Sequence, residues 1–256
     1  MRVCKQNIKK FDRDWREKSN VKKFDEDARR EDGYIFRSVN KLSSRLANER
    51  MVEGLMEVYD FSDKRILDIG CGDGSISIEL LRLGAQIIVG MDPAESAIDV
   101  ANSRAKSLKL TGQAEFRVGN IYNDSFQTSF DCVLLSGVLH HLIDPQLALN
   151  NIFTWADNLV ITEPNGLNPI LKILERVSSY HIEHEEQSFT ASTLAKWLNK
   201  AGFKIKTLRY INLVPMFCPD WMAKLCSALT STVESIPGLR NICCGSLVIH
   251  AEKSLK

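Results

Sequence analysis

Two acids and three closely spaced glycines are the residues most suited to chemistry. In Asp68-Ile69-Gly70-Cys71-Gly72-Asp73-Gly74, one carboxylate stands just before a G-x-G-x-G turn and a second lies inside it. Glycines permit positive φ and let a ligand approach the backbone closely. A dinucleotide loop spaces its glycines as G-x-G-x-x-G and seats a pyrophosphate on the following helix N-terminus. Here the third glycine comes one residue early, and two carboxylates would repel a pyrophosphate. They suit a ligand carrying an ammonium and a sulfonium. Downstream, Asp92 in Val89-Gly90-Met91-Asp92-Pro93 follows the loop by about 20 residues, the separation at which an acid accepts both hydroxyls of a ribose. The other reading of Asp92 is a cap on the helix that Pro93 opens.

The elements that must position these groups are legible as alternating textures. Arg65–Ile69 reads as a strand, Ser75–Leu83 as a helix, Gln86–Met91 as a strand and Pro93–Leu108 as a helix. Strands follow at Ala114–Val118 and Phe130–Leu135, then a helix at Pro145–Ala156 and a strand at Asn158–Thr162. Thr190–Ala201 reads as a helix ending at Gly202, and Phe203–Ile211 and Ser246–Ala251 as the last two strands. Such alternation predicts a doubly wound, mostly parallel α/β sheet with helices on both faces. In an open sheet of this kind, ligands lie beyond the carboxyl ends of the strands, where the glycine loop sits.

Two regions fall outside this pattern. Residues 1–62 are charged and helical in texture and predict an N-terminal helical cap, with Val39, Leu42, Leu46, Met51, Leu55 and Val58 at roughly helical spacing. The core then spans 63–256, and residues 213–244 form an insert between the last two strands. Within it Trp221, Leu225, Leu229, Val233 and Ile236 mark an apolar stripe. That stripe either packs on its own domain or forms a greasy lid for a lipid-like ligand or a membrane surface.

The loop and Asp92 together resemble the class I S-adenosylmethionine-dependent methyltransferases, in particular their type 11 small-molecule branch, over roughly residues 40–252. The resemblance implies a Rossmann-like seven-stranded sheet whose last strand is antiparallel, with S-adenosyl-L-methionine as cofactor. Gly119-Asn120-Ile121 is similar to the segment that holds the adenine, where the family often has Asp at the position of Asn120. Phe130-Asp131-Cys132-Val133-Leu134-Leu135-Ser136 with Val138-Leu139-His140-His141-Leu142 resembles the strand-four motif, whose backbone near Ser136 lies along the methionine part. The implied cofactor residues are Asp68, Gly70, Cys71, Gly72, Gly74, Asp92, Pro93, Asn120, Ile121, Ser136 and His140.

Methyl transfer is an in-line displacement, and holding donor and acceptor in line supplies most of the acceleration. A base is needed only where the acceptor loses a proton. His140 and His141 follow the fourth strand, and either is a base or a positioned packing residue; the resemblance favours His141 in the pocket. Glu163, closing the fifth strand before Pro164, either orients an acceptor or accepts loop backbone hydrogen bonds. His141 and Glu163 are therefore the expected catalytic residues. His181-Ile182-Glu183-His184-Glu185-Glu186 is not a zinc motif and reads as a solvated loop or a lid facing substrate, and no metal is expected. Cys243 and Cys244 read as small buried apolar residues rather than ligands of a soft metal.

Composition narrows the partners. The 256 residues carry a net charge of +1, which gives no basic face for nucleic acid. Seven cysteines without a C-x-x-C suggest a reduced, cytoplasmic protein. No apolar run reaches the length of a membrane span, leaving peripheral contact as the only membrane mode expected. The expected reaction is methyl transfer to a small molecule, at oxygen by family frequency. A lipid, quinone or lipid-linked sugar acceptor is the second reading, a non-catalytic binding module the third, and a dehydrogenase the last.

Overall fold

The computed structural model describes residues 21–29, 41–178, 182, 187–216 and 218–254. Strands β1 (Arg65–Ile69), β2 (Ile87–Asp92), β3 (Ala114–Val118), β4 (Phe130–Ser136), β5 (Ala156–Pro164), β6 (Phe203–Ile211) and β7 (Ser246–Lys253) form one sheet. Its order is 3-2-1-4-5-7-6, and β7 runs antiparallel to both of its neighbours. The chain reverses its direction of winding between β1 and β4, which are hydrogen-bonded side by side. That switch point opens a crevice at their carboxyl ends.

Both faces of the sheet are buried, and successive side chains serve opposite faces. Along β4, Val133 and Leu135 join one core cluster with Leu67, Leu149 and Leu198. Cys132 and Leu134 join the other with Ile66, Leu80, Ile88 and Val248. These continuous apolar runs are what a central parallel strand requires.

The helices are α1 (residues 21–28), α2 (Leu42–Val58), α3 (Ser75–Arg82), α4 (Glu95–Ser107), α5 (Pro145–Ile152), α6 (Pro169–Val177), α7 (Ala191–Lys200), α8 (Asp220–Ser235) and α9 (Leu239–Cys243). Local sequence sets several starts. Asp144 and Asn168 accept from backbone N–H groups in the first turns of α5 and α6, each with proline at the first position, and Thr190 caps α7. Helix α5 is shorter than its pattern suggests. Trp155 and Ala156 are core residues, and Ala156 already pairs with Phe130 in the sheet. Helix α6 was not expected at all, although Asn168-Pro169 carried its start signal.

Helix α2 departs from the expected cap. Leu55, Val58 and Phe61 share a core cluster with Ile66 and Leu134, so the boundary placed at residue 62 runs through one continuous core. Its buried face is also made of small residues, Ser43, Ser44, Ala47 and Gly54, while Leu42, Leu46 and Met51 are half-buried. Close approach explains this: a Cβ on Gly54 would lie 2.5 Å from Ile211 Cδ1. Of the expected cap's residues, Phe24 is described, whereas Val39 and the aromatics Phe11, Trp15, Tyr34 and Phe36 lie outside the described residues.

The insert after β6 is present as expected, built from α8 and α9. It is fixed to α2 by Arg50, whose Nη2 lies 2.6 Å from Glu234 Oε2, with both side chains largely buried. Glu234 Oε1 also accepts from the backbone N–H of Asn212. Its helical stripe, however, faces outward. Trp221, Leu225, Leu229 and Ile236 are exposed, and Ala223 and Thr230 supply the buried contacts of α8. Packing of the stripe on its own domain is thereby overturned. Among the described residues no helix is long and apolar enough to cross a membrane.

The exit of β5 is held by a parallel bridge between Asn165 and Phe189, where Gly166 N–H donates to Phe189 O at 3.0 Å. A Cβ on Gly166 would meet the Phe189 carbonyl carbon at 2.6 Å and Thr190 N at 2.8 Å. Backbone atoms cannot swing aside, so Gly166→Ala is expected to destabilise the fold by about 1–3 kcal/mol. Urea denaturation checks this, and an unchanged midpoint would refute the close approach.

Candidate cofactor and acceptor site

A cavity of about 780 Å³ runs along the carboxyl ends of the central strands. Its inner wall begins at the glycine loop. Gly70, Gly72 and Gly74 all have positive φ (69°, 54° and 73°), and a Cβ on Gly70 would strike Val138 Cγ2 at 2.5 Å. The N–H of Gly70 donates to Met91 O at 2.7 Å, and that of Gly72 donates to Asp92 Oδ2 at 3.0 Å. The end of β2 thus holds the turn after β1.

Gly70, Gly72, Asp92, Pro93, Asn120, Ile121, Ser136, His140, His141 and Glu163 all line this cavity. Asp68, Cys71 and Gly74 do not: they build the loop from behind. The Asp68 carboxylate accepts from Ser77 Oγ at 2.5 Å, locking the strand to the first turns of α3. Cys71 is buried in the core cluster behind the loop, and Gly74 makes room for Phe116 and Ala101. Asp73 is likewise turned away, accepting from Ser75 N and Ser75 Oγ and paired at 3.0 Å with Arg104. Asp68 and Asp73 therefore brace the loop and do not line the cavity.

Asp92 caps the turn before α4 and also reaches the cavity. Oδ1 accepts from Ala94 N and Oδ2 from Gly72 N, while the carboxylate sits on the cavity wall. After β3, Asn120 Oδ1 accepts from Tyr122 N, and Asn120 N donates to Asp124 Oδ2. Asp124 escaped sequence reasoning, since an acid four residues after Asn120 looks like an ordinary loop residue. Ile121 is anchored through its carbonyl, which accepts from Asn151 Nδ2.

Beyond Ser136 the wall becomes a buried polar knot. Glu163 is only 2% exposed. Its Oε1 accepts from Val138 N and Leu139 N, and its Oε2 lies 2.8 Å from His140 Nδ1. Glu163 therefore holds the turn after β4 and is not available to orient an acceptor. His141 is stacked between His140, at 3.9 Å between ring centroids, and the edge of Phe24 at 4.8 Å. Phe24 comes from α1, which closes over this part of the cavity; Asp25 of α1 accepts from Ser96 N and caps α4 from outside. That hydrogen bond chiefly holds the Asp25 carboxyl below its usual range.

The outer end of the cavity is apolar, with Ile170, Leu171 and Leu174 of α6 facing Met216, Met222 and Ile242 from the insert. Two buried amides stitch these halves together. Asn165 Nδ2 donates to Asn241 O and Cys244 O, and Asn168 Nδ2 donates to Cys243 O and Cys244 O. Neither was singled out as structural, because each partner lies some 75 residues away. Cys244 is buried, as expected, while Cys243 is half-buried and lines the cavity. Of the 181–186 cluster only Ile182 is described, and among the described residues no group of His, Cys, Asp and Glu could hold a metal.

No lysine or arginine lines the cavity among the described residues, whereas Asp92, Glu163 and Glu175 do. An acidic lining without cationic side chains suits a cationic nucleoside better than a pyrophosphate. Comparison with known proteins agrees: a methyltransferase-domain family model matches residues 60–205. The chain belongs to that family. It is of the class I, S-adenosylmethionine-dependent kind, with S-adenosyl-L-methionine as cofactor.

Among the relatives of this methyltransferase domain is the mitochondrial ubiquinone biosynthesis O-methyltransferase of Schizosaccharomyces pombe. It is 36% identical over 126 residues, covering 47% of this chain and 43% of that protein. The match thus spans less than half of that relative's length. The magnesium protoporphyrin IX methyltransferase of Synechocystis, solved with bound SAH, superposes with a TM-score of 0.55 at 19% identity, covering 83% of each chain. The cyclase SpnF superposes with a TM-score of 0.58 at 16% identity over 80% of each chain. These two establish the fold alone, and the cyclase illustrates that the fold does not dictate the reaction.

Asp92→Ala removes a carboxylate from the cavity wall and leaves the Gly72 N–H without its acceptor, so it is expected to weaken S-adenosylmethionine binding by about tenfold or more. Titration calorimetry measures this directly. Unchanged affinity would reduce Asp92 to a turn residue.

Proposed function

We propose that this methyltransferase domain moves the methyl group of S-adenosylmethionine onto an oxygen of an apolar acceptor of the quinone or lipid class. The observation that carries this reading is the Glu163–His140 pair at the base of a cavity whose outer wall is aliphatic. The names of the ubiquinone-biosynthesis relatives support the same acceptor class.

The bound sulfonium supplies an electrophilic methyl carbon for in-line displacement. The chain's own residues do the rest. Asp92, the glycine loop and the Asn120–Ile121 segment hold the nucleoside. A Glu163 carboxylate can only accept, so His140 Nδ1 carries the shared proton and Nε2 is left as the basic nitrogen. His140 then takes the proton of an acceptor hydroxyl as the new bond forms. This exchanges the two histidines: His140 is the base, and His141 is a packing residue between His140 and Phe24. The outer apolar wall excludes water and holds the acceptor in line.

Tritiated S-adenosylmethionine incubated with the protein and a lipid extract is expected to place label in the organic phase. Label confined to the aqueous phase would overturn the acceptor class, and binding without any turnover would leave a cofactor-binding module. Glu163→Gln and His140→Ala are each expected to lower kcat by about a hundredfold. Because Glu163 acts through His140, the double variant should be no slower than His140→Ala alone. Additive losses would refute that coupling.

A further inference from the structure

The helices that wall the outer cavity also turn an apolar face to solvent. Helix α6 buries none of its residues. Ile170, Ile173, Leu174 and Val177 fall at i, i+3, i+4 and i+7, one stripe, and Ile173 and Val177 are 59% and 69% exposed. Helix α8 presents a second stripe, Trp221, Leu225 and Leu229, with Trp221 66% exposed. Ile170, Leu174, Met216 and Ile242 belong to this exposed surface and to the cavity lining at once. The apolar face and the mouth of the cavity are therefore one continuous surface. A monomeric soluble domain rarely leaves such a surface uncovered.

Two features select its occupant. A second copy or a protein partner seated here would stopper the cavity mouth, whereas an acyl phase would extend the aliphatic lining outward and leave the path open. The charges agree. Lys172, Arg176, Lys224 and Arg240 on these helices outnumber Glu175 and Asp220, since Glu234 is turned inward against Arg50. Basic residues beside an apolar stripe that includes a tryptophan complement an anionic lipid interface. We propose that α6, α8 and α9 dock the domain on an anionic phospholipid bilayer and that the acceptor enters the cavity directly from it. The idea rests on the apolar-acceptor reading above.

The test is co-sedimentation of the full chain with vesicles of phosphatidylcholine, with and without phosphatidylglycerol. Binding to the anionic vesicles is expected, with at least a tenfold loss of partitioning in the double variant Ile173→Glu/Leu225→Glu. That variant should keep the wild-type Tm and cofactor affinity. Tryptophan emission should shift to the blue on anionic vesicles, and Trp221→Phe should remove the shift, which reads docking without a charge substitution. Wild-type protein left in the supernatant would overturn the proposal, as would undiminished binding of the double variant. A wild-type dimer that the double variant dissociates, without vesicle binding, would assign the face to a second copy instead. Methyl transfer to a short-tailed soluble acceptor without vesicles separates the two ideas: its loss with docking intact counts against the acceptor reading alone.

Discussion

The molecule is organised around the hydrogen bonds that bind the turn after β1 to the end of β2. Gly70 and Cys71 donate to the carbonyl of Met91, and Gly72 donates to the carboxylate of Asp92. A turn with three glycines at positive φ would otherwise be loose, because glycine gives up more conformational freedom on ordering than any other residue. Tying it to the neighbouring strand fixes the loop and aims the Asp92 carboxylate into the crevice. The crevice itself exists because the winding reverses between β1 and β4. The cofactor crevice thus follows from sheet topology plus one carboxylate that serves the backbone of two turns and reaches the cavity wall.

A second buried carboxylate plays the matching part at the end of β5. Glu163 accepts two backbone N–H groups from the turn after β4 and binds His140, so the position of the imidazole is set by a rigid strand end. Both acids follow one rule. A carboxylate out of water must have its lone pairs satisfied, and backbone N–H groups of a neighbouring turn are what a parallel sheet offers at its carboxyl end. The acceptor wall rests instead on amides, with Asn165 and Asn168 binding the carbonyls at the end of α9. Neutral stitches add no charge to that end of the cavity.

Much of this was legible from the residues in order. Alternation of strand and helix patterns gave the sheet, and the glycine spacing with Asp92 gave the cofactor class, because both depend on local periodicity and on separations within one βαβ unit. The reading erred where the deciding partner was distant. Asp68 and Asp73 looked like ligand-facing acids, but Ser77 and Arg104 claim them from behind the loop. Helix α2 was taken for a cap because its long apolar residues stood out, whereas small residues let it lie against the sheet.

The sequence by itself determined the fold class, the methyl donor and the position of the crevice, since these follow from backbone conformational preference and residue spacing within short stretches of chain. Tertiary structure decided which carboxylates face the ligand, which histidine holds a carboxylate partner and which side of the insert meets solvent. The stripe from Trp221 to Ile236 is equally regular in either orientation. Only the packing of Ala223 and Thr230, with Glu234 held inward by Arg50, turns that stripe outward.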